Sequence, residues 1–264
     1  MGAPDFLWPH LRALPYFRAL LRSVEARLFR GVDLPAPGLD LGCGDGHFTS
    51  SAFPAPADVG VDPDRRALRE ASRRGSHRSL VCAVGSSLPL AAGSMASGFS
   101  NSVLEHIADV PIVLAEVGRV LQSGAPWAFT VPNPAYLSEL SLGRGRLART
   151  MPGWAEAYRG WFRRMSRVVH LADETMWGEW LKAAGFELVQ TFRYFSPTAL
   201  RVLEWGHYLG LPSLLARRAT GRWILAPARW SLWLTETLLR RYDDASARPD
   251  GTFTFYLARK RRSL

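Results

Sequence analysis

Lysine is nearly missing from this chain: of its 33 basic residues, Lys182 and Lys260 are the two lysines and the rest are arginine. So lopsided a choice reads as genomic codon bias and excludes no function. Cysteine is equally scarce. Cys43 and Cys82 are too few for a disulfide framework and lack metal-type spacing, so a reduced, cytoplasmic compartment is expected, with both thiols in buried segments. No stretch of about eighteen residues is free of charge, which argues against a membrane-spanning helix. The first residues lack the basic-then-apolar pattern of an export signal, so no export is expected. His170 and Asp173 have no further ligand nearby in the sequence, and no metal is expected.

What is present is a chain of 264 residues, 47% hydrophobic and 21% charged, with ten tryptophans. The length suits one elaborated α/β domain over 1–264. The net charge of +10 is uneven: from Arg193 onward, thirteen Arg and Lys face five Asp and Glu, leaving +8 in the last 72 residues. A plain Arg-rich surface explains that asymmetry, and so does attraction to nucleic acid or to anionic lipid.

The chain is organised around Gly38 to Phe48, Gly-Leu-Asp-Leu-Gly-Cys-Gly-Asp-Gly-His-Phe. Leu39 and Leu41 read as the end of a buried strand. Gly42, Gly44 and Gly46 then turn the backbone into a helix, where a Cβ would obstruct the turn or the approach of a ligand to backbone N–H groups. A dinucleotide fingerprint has the spacing G-x-G-x-x-G. Here the pattern is D-x-G-x-G-x-G, led by Asp40. Eighteen residues beyond Gly44, the run Val59-Gly60-Val61-Asp62 ends a second apolar strand in an acid. That acid also suits NAD, so an NAD-dependent oxidoreductase is an alternative, disfavoured by the glycine spacing.

The loop resembles the first motif of class I S-adenosylmethionine (SAM) dependent methyltransferases. Leu88-Pro89-Leu90, Asn101-Ser102-Val103-Leu104-Glu105-His106-Ile107 and Glu116-Val117-Gly118-Arg119-Val120-Leu121 resemble later motifs of the branch with quinone C-methyltransferases and many small-molecule O-methyltransferases. The resemblance covers roughly residues 36 to 132 and continues weakly to Gly185-Phe186. It implies O- or C-methylation of a small-molecule or lipid-like acceptor, the other alternative being a methyltransferase-like binding protein without catalysis. It also implies that Gly42 to Gly46, with Cys43 and Asp40, hold the methionyl part of SAM and that Asp62, followed by Pro63, holds the ribose. Asn101 stands at the same edge. Where the resembled enzymes carry an acid before the Leu-Pro pair this chain has Val84, so Ser86, Ser87 or a backbone carbonyl is expected to serve adenine. For a hydroxyl or carbon acceptor a histidine base is expected near the site. His106 is best placed, with shaping of the cofactor wall as its other reading, and His170 is second. His47 and His207 read as structural or surface residues. Asn133-Pro134-Ala135-Tyr136 follows the fifth strand rather than the fourth, so it reads as a turn and nucleic acid is not expected as a partner.

Periodicity places a helix over 15–30, with Phe17, Leu21, Val24 and Leu28 in a stripe, and strands near 59–61, 79–84, 96–101 and 127–131, with helices over 65–73 and from Pro111 to just before Gly124. The fold expected is a Rossmann-like doubly wound sheet, mostly parallel, with an antiparallel last strand near 251–257. Residues 1–31 form an N-terminal helical cap, 133–172 a lid or substrate segment without clear periodicity, and 196–248 a helical insertion between the last two strands. In the resembled family a helix at this place often covers the cofactor cleft, which implies that Tyr16, Arg18 or Arg22 touches substrate; the other reading, favoured for each residue singly, is a simple packing helix. Within 221–242, Arg229, Glu236 and Arg240 share one helix face and Leu234 and Leu238 the other. With Trp223, Trp230 and Trp233 beside them, that helix either packs on the domain, with Trp roofing the pocket, or lies peripherally on the inner face of the membrane.

Overall fold

The computed structural model describes residues 4–262. Its strands are β1 Gly38–Leu41, β2 Ala57–Asp62, β3 His77–Cys82, β4 Ser97–Asn101, β5 Pro126–Pro132, β6 Phe186–Tyr194 and β7 Phe253–Lys260. The helices are α1 Leu7–Leu11, α2 Tyr16–Arg30, α3 His47–Ala52, α4 Arg65–Arg74, α5 Val110–Val120, α6 Ala135–Ser138, α7 Gly145–Thr150, α8 Pro152–Met165, α9 Glu174–Ala183, α10 Pro197–Leu209, α11 Leu211–Thr220 and α12 Arg229–Leu239. The chain divides into two compact units. One, built from 29–134, 166–192 and 253–264, holds most of the sheet; the other, from 1–28, 135–165 and 193–252, is helical.

The strands are ordered β3-β2-β1-β4-β5-β7-β6 in one sheet. β1, β2, β3, β4 and β5 pair in parallel, and β7 returns antiparallel to β5, so the mostly parallel Rossmann-like sheet with a reversed last strand is observed. Strand β5 is buried along its whole length, as a central strand covered on both faces must be. On one face, α5 lays down Val110, Val113, Leu114 and Val117 at helical spacing, all buried with Trp127, Phe129 and Trp177 in one core. Each such side chain contributes about 1.5–3 kcal/mol by leaving water. Phe129 stacks on Tyr256 with ring centroids 4.8 Å apart. Gly98 makes room for this core, since a Cβ there would stand 2.8 Å from the Trp127 ring.

Two strand positions differ from the periodicity. β3 ends at Cys82 instead of running to 84, and as the edge strand it leaves Cys82 exposed, correcting the expected burial of that thiol; Cys43 is buried. β7 starts at Phe253, because Gly251 lies against the Tyr194 backbone, where a Cβ would come within 2.5 Å of the Tyr194 amide nitrogen.

In the helical unit, 133–172 contributes α6, α7 and α8, whose short runs are broken by Gly143, Gly145 and Pro152. Buried Glu204 on α10 organises this unit by accepting from the Ser141 and Leu142 amides, at 2.7 and 3.4 Å, and from the Tyr158 hydroxyl. Gly206 lets α10 close on α2, because a Cβ there would overlap Phe17. From α2, Ser23 and Arg27 bind Asp243 at 2.7 and 2.8 Å. Helix α12 starts at Arg229, two residues beyond Pro227, and Arg229 and Arg240 both reach Glu236 on its inner side. Among the described residues no helix is long and apolar enough to cross a membrane.

Candidate functional site

Parallel pairing of Leu41 with Val61 brings the ends of β1 and β2 level, so the glycine loop and Asp62 emerge side by side. The Gly42 and Cys43 amides donate to the Val61 carbonyl at 2.8 and 3.1 Å, and the Gly44 amide donates to Asp62 Oδ2 at 2.9 Å. All three loop glycines have positive φ, between 55° and 76°. Their surroundings differ. A Cβ on Gly42 would meet the Val103 side chain at 2.5 Å, and one on Gly46 would overlap Ser76 Oγ, whereas Gly44 has nothing within 4 Å in that direction. The loop is therefore packed at both shoulders and open at its centre, a cradle that only a residue without a side chain leaves accessible.

Asp62 is half-buried and sets the rim of that cradle. Its Oδ2 takes the Gly44 amide and its Oδ1 takes the Asp64 amide at 2.8 Å. A carboxylate offers about four acceptor positions, so each oxygen retains one for a hydroxyl. These features fit a nucleoside whose ribose rests on Asp62 and whose polar tail approaches the loop. Exposed Pro63 follows, and its carbonyl faces Cys82 Sγ at 3.6 Å. Burial, reinforced by the negative charges of Asp40 and Asp62, pushes the Cys43 thiol well above its ordinary range. It remains a neutral filler, and Cys43 offers only its backbone.

Asp40 lies below the loop rather than in it. Its buried carboxylate accepts from Thr49 Oγ1 at 2.5 Å and pairs with His77 Nε2 at 2.8 Å, while His77 Nδ1 meets Ser76 Oγ at 2.8 Å. Thr49 and His77 are thus residues of the site's foundation that spacing along the chain did not reveal. His47 is buried at the start of α3.

The later motifs form a clamp of their own. Glu116 accepts from the Leu88 amide at 2.8 Å and binds Arg119, whose guanidinium donates to the Leu88 and Leu90 carbonyls at 3.0 and 2.9 Å. Hydrogen bonding to Arg119 holds the Glu116 carboxyl below its usual range. This clamp fixes the Leu-Pro-Leu turn and, with it, exposed Ser86 and Ser87. Val84 beside them is exposed as well. At the end of β4, Asn101 Oδ1 accepts from Thr130 Oγ1 at 2.7 Å, and Ser102 has φ 52°, a left-handed conformation unusual for a residue with a side chain. Asn133, of the Asn-Pro-Ala-Tyr run, is buried and donates to Thr254 Oγ1 at 3.1 Å, pinning β5 to β7.

His106 and His170 meet at one junction. His106 Nδ1 lies 2.9 Å from the Arg167 carbonyl and His170 Nε2 lies 2.7 Å from the Ala108 carbonyl. The Glu105 carbonyl accepts from the Val169 and His170 amides at 2.8 and 3.1 Å. A carbonyl only accepts, so each ring nitrogen facing one carries the proton. In the neutral rings the proton-accepting atoms are then Nε2 of His106, which lies 3.8 Å from Glu105 Oε1, and Nδ1 of His170.

His207 lies in the helical unit, packed on Phe17, and so does Tyr16, whose hydroxyl is pushed up by burial. Tyr16 lines a hollow of about 350 Å³ with Thr198, Arg201, Val202, Trp205 and Tyr242. Arg22 pairs with Glu25 at 2.6 Å. Among the described residues, no group of three or more His, Cys, Asp and Glu is arranged to hold a metal.

Residues 39–129, the stretch that builds the cradle and the clamp, match the methyltransferase domain family. A malonyl-acyl-carrier-protein O-methyltransferase of Methylococcus capsulatus is 34% identical over 134 residues, 47% of this chain and 49% of that protein. The chain spans less than half the length of the curated relatives it matches. A SAM-dependent methyltransferase of Thermotoga maritima shares the fold with a TM-score of 0.53 at 17% identity, covering 93% of this chain and 91% of that one. The 4+2 cyclase SpnF shares it with a TM-score of 0.54, also at 17% identity, over 93% and 82%.

Proposed function

From the class I methyltransferase domain that this chain contains, we propose that the protein transfers a methyl group from SAM to an oxygen or carbon of a small-molecule or lipid-like acceptor. The observation that carries this reading is the glycine loop: packed at Gly42 and Gly46, open at Gly44, and joined there to the Asp62 carboxylate. SAM supplies a methyl group already activated on a sulfonium, so the protein's task is to bind, align and exclude water. Gly44, with the backbone of Cys43, receives the methionyl part, and Asp62 accepts from the ribose. Ser86 and Ser87 are assigned to adenine. Asp40 supports the loop from beneath through Thr49 and His77.

A hydroxyl or acidic carbon must lose a proton during transfer, and His106 Nε2 is assigned to take it, with His170 Nδ1 as the second candidate. A carboxylate needs neither base, because it is ionised near neutral pH. The similarity to malonyl-acyl-carrier-protein O-methyltransferases makes a carrier-bound acyl carboxylate the first acceptor to assay. We assign acceptor selection to the N-terminal cap 1–31, the lid segment 133–172 and the insertion 196–248, all of which lie outside the matched stretch 39–129.

Calorimetric titration with SAM and with NAD, followed by incubation of the protein and labelled SAM with cell extract, tests the proposal. Saturable SAM binding and label in an extract component support it. Binding of NAD in place of SAM would overturn it, and SAM binding without label transfer would leave a non-catalytic binder.

A further inference from the structure

Helix α12 carries apolar side chains on two opposite sides. Leu232, Thr235, Glu236 and Leu239 repeat at i, i+3, i+4 and i+7 and face inward, with Glu236 and Leu239 buried. Half a turn away, Trp230, Trp233, Leu234 and Leu238 follow at i, i+3, i+4 and i+8 and stand 82%, 66%, 61% and 47% exposed. An isolated surface leucine needs no explanation, but a whole outward stripe does. Leu214 and Leu215 on α11 and Leu225 in the connecting segment are exposed as well.

The charges along this stretch are mostly positive, and the acids beside them, Glu236 and Asp5, are both in ion pairs with its arginines, Asp5 with Arg240 at 2.7 Å. Between 209 and 241 the chain carries six arginines and a single acid, Glu236. That acid is already engaged by Arg229 at 3.3 Å and by Arg240. Arg217 lies over the Trp223 ring and Arg229 over the Trp8 ring, each 4.6 Å from the centroid. Guanidinium groups on aliphatic stems beside indole rings hold their charge at a boundary between an apolar and a wet phase.

We propose that α11, α12 and the segment between them dock this protein on an anionic lipid surface, with α12 lying in the plane of the interface. At eleven residues α12 is about 16 Å long, roughly half of a bilayer's hydrocarbon thickness, so it lies in the surface and does not span it. The outward Trp and Leu side chains enter the headgroup boundary, and the arginines meet lipid phosphates. The excess of positive charge selects anionic lipid over a neutral one. The inference is independent of methyl transfer, and its test reads binding without turnover.

The test is cosedimentation of the full chain with phosphatidylcholine vesicles, with and without phosphatidylglycerol, at low and high salt. The expected result is pelleting with the anionic vesicles at low salt, a marked loss at high salt, and little pelleting with phosphatidylcholine alone. Because both side chains are exposed, the double variant Trp230→Ser/Trp233→Ser is expected to keep its melting temperature and to partition at least about tenfold more weakly. Failure to pellet at low salt overturns the proposal, as does equal, salt-insensitive pelleting with both vesicle types. A double variant that binds like the original protein also overturns it. So does a dimer in sedimentation velocity that the double substitution abolishes while vesicles are not bound, which would give the face to a second copy of the chain.

Discussion

The Gly44 amide donates to Asp62 Oδ2 at 2.9 Å, so the carboxylate expected to receive a ribose also holds the loop expected to receive the rest of the cofactor. Asp62→Ala removes that acceptor, leaves the Gly44 and Asp64 amides without it, and would delete the two charged hydrogen bonds proposed to the ribose hydroxyls. At roughly 1.5–3 kcal/mol for a bond to a charged group, SAM affinity is expected to fall by about tenfold or more for each bond lost. Calorimetry reads the affinity and circular dichroism the fold. Unchanged affinity in a folded variant would remove Asp62 from the site.

Gly44→Val places a branched side chain in the one direction where the loop is open and forces it to φ 55°. The backbone conformation costs about 1–2 kcal/mol, which the sheet unit is expected to survive with a small drop in melting temperature. SAM binding is expected to vanish. Gly42→Ala provides the contrast, because its Cβ meets Val103, a protein side chain, so its main expected effect is on stability. A Gly44→Val protein that titrates normally with SAM would contradict the assignment of the loop.

The succession of strands along the chain and the place of the loop were legible because both rest on local pattern: short apolar runs, glycine at alternate positions, and acids at strand ends. What was not legible depends on where distant segments meet. Thr49 and His77 converge on Asp40 from nine and thirty-seven residues away, so nothing near Asp40 marks its carboxylate as engaged. Cys82 has the neighbours of a buried strand, and its exposure follows from the position of β3 at the sheet edge. Of the helices in 135–165, α6 and α7 are too short to show a period, and α8 carries Gly153 and Gly160 among its fourteen residues. The tie between His106 and Arg167 joins residues sixty-one apart, so His106 could be proposed as a base without its tautomer being known.

That tautomer makes the histidine test specific. With Nδ1–H directed at Arg167, Nε2 is the proton acceptor, and His106→Ala is expected to lower turnover on a hydroxyl or carbon acceptor by about 10²-fold or more while SAM affinity stays close to its original value. His106→Asn keeps a side-chain donor toward Arg167 without a base, so loss of turnover in both variants points to proton transfer. Recovery in His106→Asn would assign the residue to positioning the loop. The same pair at His170, read against Ala108, decides between the two histidines. With a carboxylate acceptor, all four variants are expected to turn over nearly as well as the original.

Asp40→Ala separates support of the cradle from contact with its ligand. Truncation leaves the Thr49 hydroxyl and the His77 ring without their acceptor in a buried place, at roughly 1–3 kcal/mol for each orphaned group. A clear fall in the urea midpoint is expected, with SAM affinity in the folded fraction changed less than by Asp62→Ala. Full stability together with lost SAM binding would move Asp40 from the foundation into direct contact with the cofactor.

The helical unit carries a pH dependence of its own. His207 on α10 packs against Phe17 at a centroid distance of 4.4 Å and against Phe162 at 5.5 Å. Burial lowers its pKa below the ordinary 6.5, and the positive charge of Arg18 adds to the effect, although the bond from Nδ1 to the Leu203 carbonyl opposes it. The folded state therefore binds this proton less readily than the unfolded chain. His207 stabilises the fold above pH 6.5, and that contribution is lost as pH falls from 6.5 through the lower folded value. His207→Phe keeps a ring between Phe17 and Phe162 and has no proton to bind. Urea unfolding from about pH 8 downward is expected to show the two proteins diverging in slope below 6.5, with stability falling more steeply in the original. Only the difference between the two curves reports on His207, because the carboxylates and other histidines titrate in both. Curves that stay parallel through that range would mean that His207 is not held in its neutral form by the fold.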